Sequence, residues 1–107
     1  MSVKNNNTEL AELGLAALKF VDDPEIGLNV VDLGLIYELA FNDEEKKVLC
    51  TMTLTTEFCP MGESIVANVT QALRMSIHGF APTVQLTFVP HWDHSKISAA
   101  GNEFLGG

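Results

Sequence analysis

The chain reads as a two-layer α+β fold: a three-stranded mixed sheet with helices on one face, in the order helix–strand–strand–helix–strand–helix. Three observations predict it. Residues 35–41 and 48–54 alternate apolar and polar side chains on either side of a polar turn, which marks an antiparallel hairpin. Residues 65–77 repeat their apolar residues at helical spacing. A further alternating run, 83–89, follows that helix, so the step from the second strand to the third is a parallel crossover. A sheet with helices on one face is the simplest way for these elements to share a core.

Each element has its own signals. Thr8 is a candidate N-cap, with Glu9 and Glu12 in the first helical turn and Leu10, Leu13, Ala17 and Val21 as the expected buried stripe. Asp23-Pro24 ends that helix, because the residue before proline leaves the α region. Residues 23–34 read as a structured connection. In the first strand Leu35, Tyr37, Leu39 and Phe41 share a face; in the second, Val48, Cys50, Met52 and Leu54 do. The second helix runs from the loop at 55–60 to about His78, with Gly79 as its C′ residue. The third strand, Thr83 to Val89, could pair with either earlier strand. A last helix from about Ser95 is expected to turn Ile97, Ala100 and Phe104 or Leu105 inward.

The 107 residues are expected to form a single domain, 1–107, with a frayed start over 1–7. With 47% apolar residues, a core needs neither a disulfide nor a structural metal. Six basic residues against fourteen acidic ones give a net charge of −8, which opposes nucleic-acid binding. No apolar run reaches the roughly eighteen residues of a membrane span. The N-terminus carries no export signature, so a cytoplasmic chain with free thiols is expected. No glycine-rich phosphate loop or GxSxG elbow is present, so no nucleotide is expected.

The two cysteines differ. Cys50 falls in phase with Val48 and Met52 and behaves as a small core residue. Cys59, in Glu57-Phe58-Cys59-Pro60-Met61-Gly62, stands between a strand and a helix. With Pro60 as the first helical residue, its thiol would face the unpaired amides of the first turn, which stabilise a thiolate. Glu57 and Glu63 oppose this, since carboxylates raise a nearby thiol pKa. Further candidates are His91, Asp93 and His94 around Trp92, and the acids Asp23, Glu25 and Asp32. The histidines have metal-binding chemistry without the spacing of a four-ligand zinc site. The plainer reading makes Trp92 an anchor and Asp93 or Ser95 a helix cap.

Three segments together resemble a known family. They are Asp23-Pro24-Glu25-Ile26 leading to Val31-Asp32-Leu33-Gly34-Leu35-Ile36-Tyr37; Met52-Thr53-Leu54-Thr55-Thr56 with Cys59-Pro60-Met61; and Pro90-His91-Trp92 with Ile97-Ser98 and Leu105-Gly106. Their order and separations are similar to those of the SufT/PaaD-like metal–sulfur cluster assembly family, whose domain also begins some Mrp/ApbC-type iron–sulfur carriers. The resemblance implies an iron–sulfur assembly domain fold and an accessory, non-enzymatic role in iron–sulfur protein maturation. It maps the family's functional cysteine onto Cys59 and its acidic loop onto Asp23, Glu25 and Asp32. Iron or an iron–sulfur cluster, held transiently, is the implied cargo, and assembly machinery and apo client proteins are the implied partners. Glu57-Phe58 departs from the small residues usual before the cysteine, and His91 and His94 lie outside the pattern. One cysteine supplies one thiolate of the four a cluster takes, so a homodimer is expected. A thiol-dependent enzyme with His91 as its base, and an interaction domain without thiol chemistry, are the alternatives.

Overall fold

A computed structural model describes residues 3–57 and 60–106. In chain order the elements are β1 (Lys4–Asn5), α1 (Thr8–Leu18), β2 (Asp22–Asp23), β3 (Leu28–Asn29), β4 (Ile36–Asn42), β5 (Lys47–Met52), α2 (Gly62–Ser76), β6 (Ala81–Leu86) and α3 (Ala99–Phe104), with a 3-10 turn at His94–Lys96. The main sheet has the order β1-β4-β5-β6, and β2 and β3 form a separate antiparallel pair. The α+β class and the parallel β5–β6 step are as predicted. The sheet has four strands rather than three, because the expected frayed start supplies one. Lys4 and Asn5 pair in parallel with Glu38 and Leu39. Beyond them the Asn6 carboxamide donates to Phe41 O (2.9 Å) and accepts from Phe41 N–H (2.8 Å), filling a strand's place with a side chain. Among the described residues no helix is long and apolar enough to cross a membrane.

The hairpin forms where its alternation places it. Asn42 Oδ1 accepts from Glu45 N–H (2.9 Å) and Lys46 turns the chain at φ 54°, so the polar run 42–46 closes β4 on β5. Val48, Cys50 and Met52 are buried on the helix-facing side. In β4 the register shifts between Ile36 and Glu38. This bulge buries Ile36 together with Leu39 and Phe41, and leaves Tyr37 only partly covered, where strict alternation expected it inside. β6 pairs with β5, which settles the choice the sequence left open. Ala81 N–H donates to Lys46 O (2.8 Å) and Thr87 N–H to Met52 O (2.9 Å). The strand's two-residue period therefore turns Pro82, Val84 and Leu86 backbone groups to the outer edge.

In α1 the buried stripe is Ala11, Gly14 and Leu18, one position out of phase with the expected Leu10, Leu13 and Ala17, and Leu13 is 54% exposed; Val21, also expected inside, is buried just beyond the helix, which ends at Leu18 and not at Asp23-Pro24. The cap is Asn7, whose side chain accepts from Leu10 N–H (3.1 Å), not Thr8. The small residues explain the shift. A Cβ on Gly14 would lie 3.1 Å from Ile77 Cδ1 and 3.2 Å from Leu73 Cδ2, so the absent side chain lets α1 settle on α2. On α2, Ile65, Val69 and Leu73, with Ile77 capping its end, are fully buried over the sheet, in the predicted phase. The last helix begins later than expected, at Ala99 with Ser98 as its cap. Ala100, Phe104 and Leu105 are exposed; Ile97 and Gly101 are the residues that pack inward.

Candidate functional site

Asp23-Pro24-Glu25-Ile26-Gly27 builds the tight turn between β2 and β3. Ile26 and Gly27 N–H donate to Asp23 O (3.1 and 2.7 Å), and Gly27 takes φ 82°. Proline presets φ at the second position, and the aspartate closes the turn on itself, Glu25 N–H donating to Asp23 Oδ1 (2.9 Å). Asp23 is 0% exposed, and its Oδ2 has no hydrogen-bond partner among the described residues. Leaving such an oxygen unpaired costs about 1–3 kcal/mol. Glu25 lies exposed on the same turn.

Asp32 is committed elsewhere. Its Oδ2 accepts from Asn29 Nδ2 (2.7 Å) and its Oδ1 from Ser98 Oγ (2.8 Å), while Ser98 N–H donates to Asp32 O (2.8 Å). The Asn29 hydrogen bond, aided by Ser98 and Lys19, holds the carboxyl below the usual carboxylate value against its partial burial. The expected acidic loop is thus two devices: a buried, half-satisfied Asp23, and an Asp32 that fastens the C-terminal segment to residues 29–32.

That segment, 90–101, straps across the loop. Trp92 Nε1 donates to Leu33 O (2.6 Å). Gly34, at φ 79°, passes so close to Lys96 that a Cβ would lie 2.2 Å from Lys96 O. Tyr37 Oη donates to Pro90 O (2.9 Å). Burial pushes the pKa of the same phenol above its ordinary value, opposed by the neighbouring Thr53 side chain. Thr53 is itself buried and continues the ladder past β5, its N–H donating to Leu35 O (2.9 Å).

Tyr37 therefore joins the strap to β4. Cys59 lies outside the described residues. Its neighbourhood is defined by what flanks it: Thr53 on one side, Glu57 two residues before it, and Gly62 opening α2 after it. The helix begins at Gly62 with Met61 in the cap position and no side-chain cap bond. Pro60 thus precedes the helix by two residues and is not its first residue. Gly62 is buried, and a Cβ there would lie 2.9 Å from Leu54 Cδ1, which seats the start of α2 on the end of the sheet. From the strap, His91 Nδ1 reaches 4.0 Å from Glu57 Oε1. Such an exposed pair contributes little energy. Its value is positional, since it sets an imidazole against the loop on which Cys59 stands.

His94 is directed elsewhere, its ring centroid 5.1 Å from that of Trp92. Asp93 caps the 3-10 turn, accepting from Ser95 N–H (2.8 Å) and Ser95 Oγ. Those two bonds hold its carboxyl below the ordinary range. His91 and His94 thus have separate partners, and no three His, Cys, Asp or Glu among the described residues gather into a metal site. Cys50 is the inert core thiol, pushed up to about 12 by burial. Tyr37, Thr53 and Ser98 stand in the motif segments of the sequence without being expected as site residues, and Asn29 stands beside them unremarked.

Residues 15–86 match the model of a family described as iron–sulfur cluster assembly protein. The chain belongs to the iron–sulfur cluster assembly protein family. The match spans the acidic turn, the hairpin, the Cys59 loop and α2; the strap with His91 lies beyond it. Among curated relatives of this family member, the chain is 36% identical to the Fe-S protein maturation auxiliary factor YitW of Bacillus subtilis, over 91% of this chain and 94% of that one. It is 35% identical to the auxiliary factor SufT of Staphylococcus aureus, over 80% and 97%. A solved domain of unknown function, DUF59, from Bacillus anthracis superposes with a TM-score of 0.85 at 29% identity, over 92% and 93%.

Proposed function

We propose that the chain, read as one domain, is an accessory factor in iron–sulfur protein maturation, and that Cys59 is the thiol through which it works. The observation that carries this reading is the family match across residues 15–86, which holds the acidic turn and the Cys59 loop in one span. The relatives named as maturation auxiliary factors support the same role. In this reading Cys59 takes up iron, a cluster or a client thiol transiently, and the cluster is cargo passed between partners. One thiolate supplies a quarter of a cluster's usual ligands, so loading recruits a second protomer's Cys59 together with free thiols or client cysteines. Asp23 Oδ2 supports the site as an acceptor held ready beneath the turn. His91, 4.0 Å from Glu57, is the polar side chain the strap turns toward residue 57. The partners are assembly proteins and apo clients, met in the cytoplasm.

Anaerobic incubation with iron and sulfide, comparing wild type with Cys59→Ser, tests the thiol's role. Wild type is expected to develop charge-transfer absorbance that fades on gel filtration, and Cys59→Ser to develop none. Identical absorbance in the two would remove Cys59 as a ligand. Maturation of an iron–sulfur client in cells relying on the variant separates the roles: full maturation would leave a surface without thiol chemistry.

A further inference from the structure

β6 is an edge strand with an unused side. Among the described residues only β5 pairs with it. The amides of Ala81 and Thr87 are spent on β5, and by the same period so are those of 83 and 85. The outer edge therefore presents the N–H and C=O of Val84 and Leu86, while Pro82, at the equivalent position before them, has no N–H to give. Side chains at Val84 and Leu86 share a face with Cys50 and Met52, which are opposite them in the ladder, so they point toward the helix layer. Leu86 is nevertheless 41% exposed. Beside it a groove of about 330 Å³ runs between β6 and α2, lined by Gly62, Glu63, Val66, Ala67 and Leu86. This is the space a side chain from one more strand would fill.

We propose that this edge and groove receive an extended segment of a partner polypeptide, added as a strand beside Val84–Leu86, with an apolar side chain in the groove and a Lys or Arg against Glu63. Charge complementarity selects that occupant. The groove's lining is apolar except for Glu63, and the chain as a whole carries a net charge of −8. A second copy brought edge to edge meets the same acidic balance, so a basic partner is favoured over self-pairing. Strand addition draws its affinity from main-chain hydrogen bonds and its specificity from the pocket for alternate side chains. Gly62 follows Cys59 by three residues in the sequence. The assignment rests on the maturation reading for the partner's identity, as a client or assembly protein.

A fluorescein-labelled peptide of about eight residues, with valine and arginine at successive positions of one strand face (i and i+2) and threonine between them, is the probe, read by anisotropy and by amide chemical shifts of the intact protein. Binding with shifts at Val84 and Leu86 is expected. Three changes are each expected to weaken it at least about tenfold: Glu63→Lys, Leu86→Lys, or N-methylation of the peptide's alternate amides. The protein is untouched in the last case, so loss there cannot arise from misfolding. Cys59→Ser should bind as wild type does. Equal binding of a valine–glutamate peptide, or binding without shifts at Val84 and Leu86, would overturn the proposal. So would concentration-dependent shifts there without peptide, which would assign the edge to a second copy. Because the assay involves no thiol, its failure leaves the role of Cys59 standing, and the failure of cluster loading leaves the docking edge standing.

Discussion

At the residue scale, Asp32 shows how a motif acid can be structural. Its carboxylate is held by Asn29 and Ser98, and both bonds favour the charged form. A carboxyl whose pKa falls on folding adds stability above its unfolded value, ordinarily 3.8. That stability disappears as pH drops below this value and through the lower folded one. Wild type is therefore expected to be more stable than Asp32→Asn at pH 6, with the gap narrowing below about pH 4 as both are unfolded in urea. A gap that stays constant from pH 6 to pH 2.5 would show that Asp32 contributes nothing through its charge. The Asp32–Ser98 pair joins positions 66 residues apart, so no local pattern announces it. Cys50 is the opposite case: its phase with Val48 and Met52 already marks it as core, and burial of the thiol agrees.

At the element scale, the departures from the sequence reading come from residues that pack by being small. The alternation in β5 and the apolar face of α2 were legible because large side chains mark both. The stripe of α1 was not, since Ala11 and Gly14 carry little apolar signal, yet both are buried and a Cβ on Gly14 would crowd Leu73 and Ile77. The bulge in β4 likewise moved Tyr37 out of the core, and no local residue signals such a shift. Gly34 is the sharpest instance. Its positive φ and the Lys96 carbonyl against it together forbid a side chain. Gly34→Ala is expected to cost about 2–4 kcal/mol in chemical denaturation, well above the usual effect of adding a methyl. A cost below about 0.5 kcal/mol would mean the strap is not held at this point.

At the scale of the whole molecule, the strap completes the architecture. It ties the acidic loop to the C-terminal segment through Trp92–Leu33, Asp32–Ser98 and the Gly34–Lys96 approach, and Tyr37–Pro90 extends the tie to β4. Trp92→Phe keeps the ring but removes the bond to Leu33 O. Hydrogen exchange is expected to quicken over residues 30–35 in that variant, while β5 keeps its protection. Uniform acceleration through β5 would make the strap part of the global core instead. These long-range ties explain why the fold class was readable from periodicity and the site's surroundings were not: periodicity reports which face is buried, not what lies across it. The proline in β6 has a further bearing, on how the protein behaves when crowded. An exposed edge strand is a template on which like chains stack into fibrils, and such growth needs an unbroken run of amides and carbonyls. Pro82 breaks that run, so the edge is long enough to hold a short visitor and too short to recruit its own kind without end.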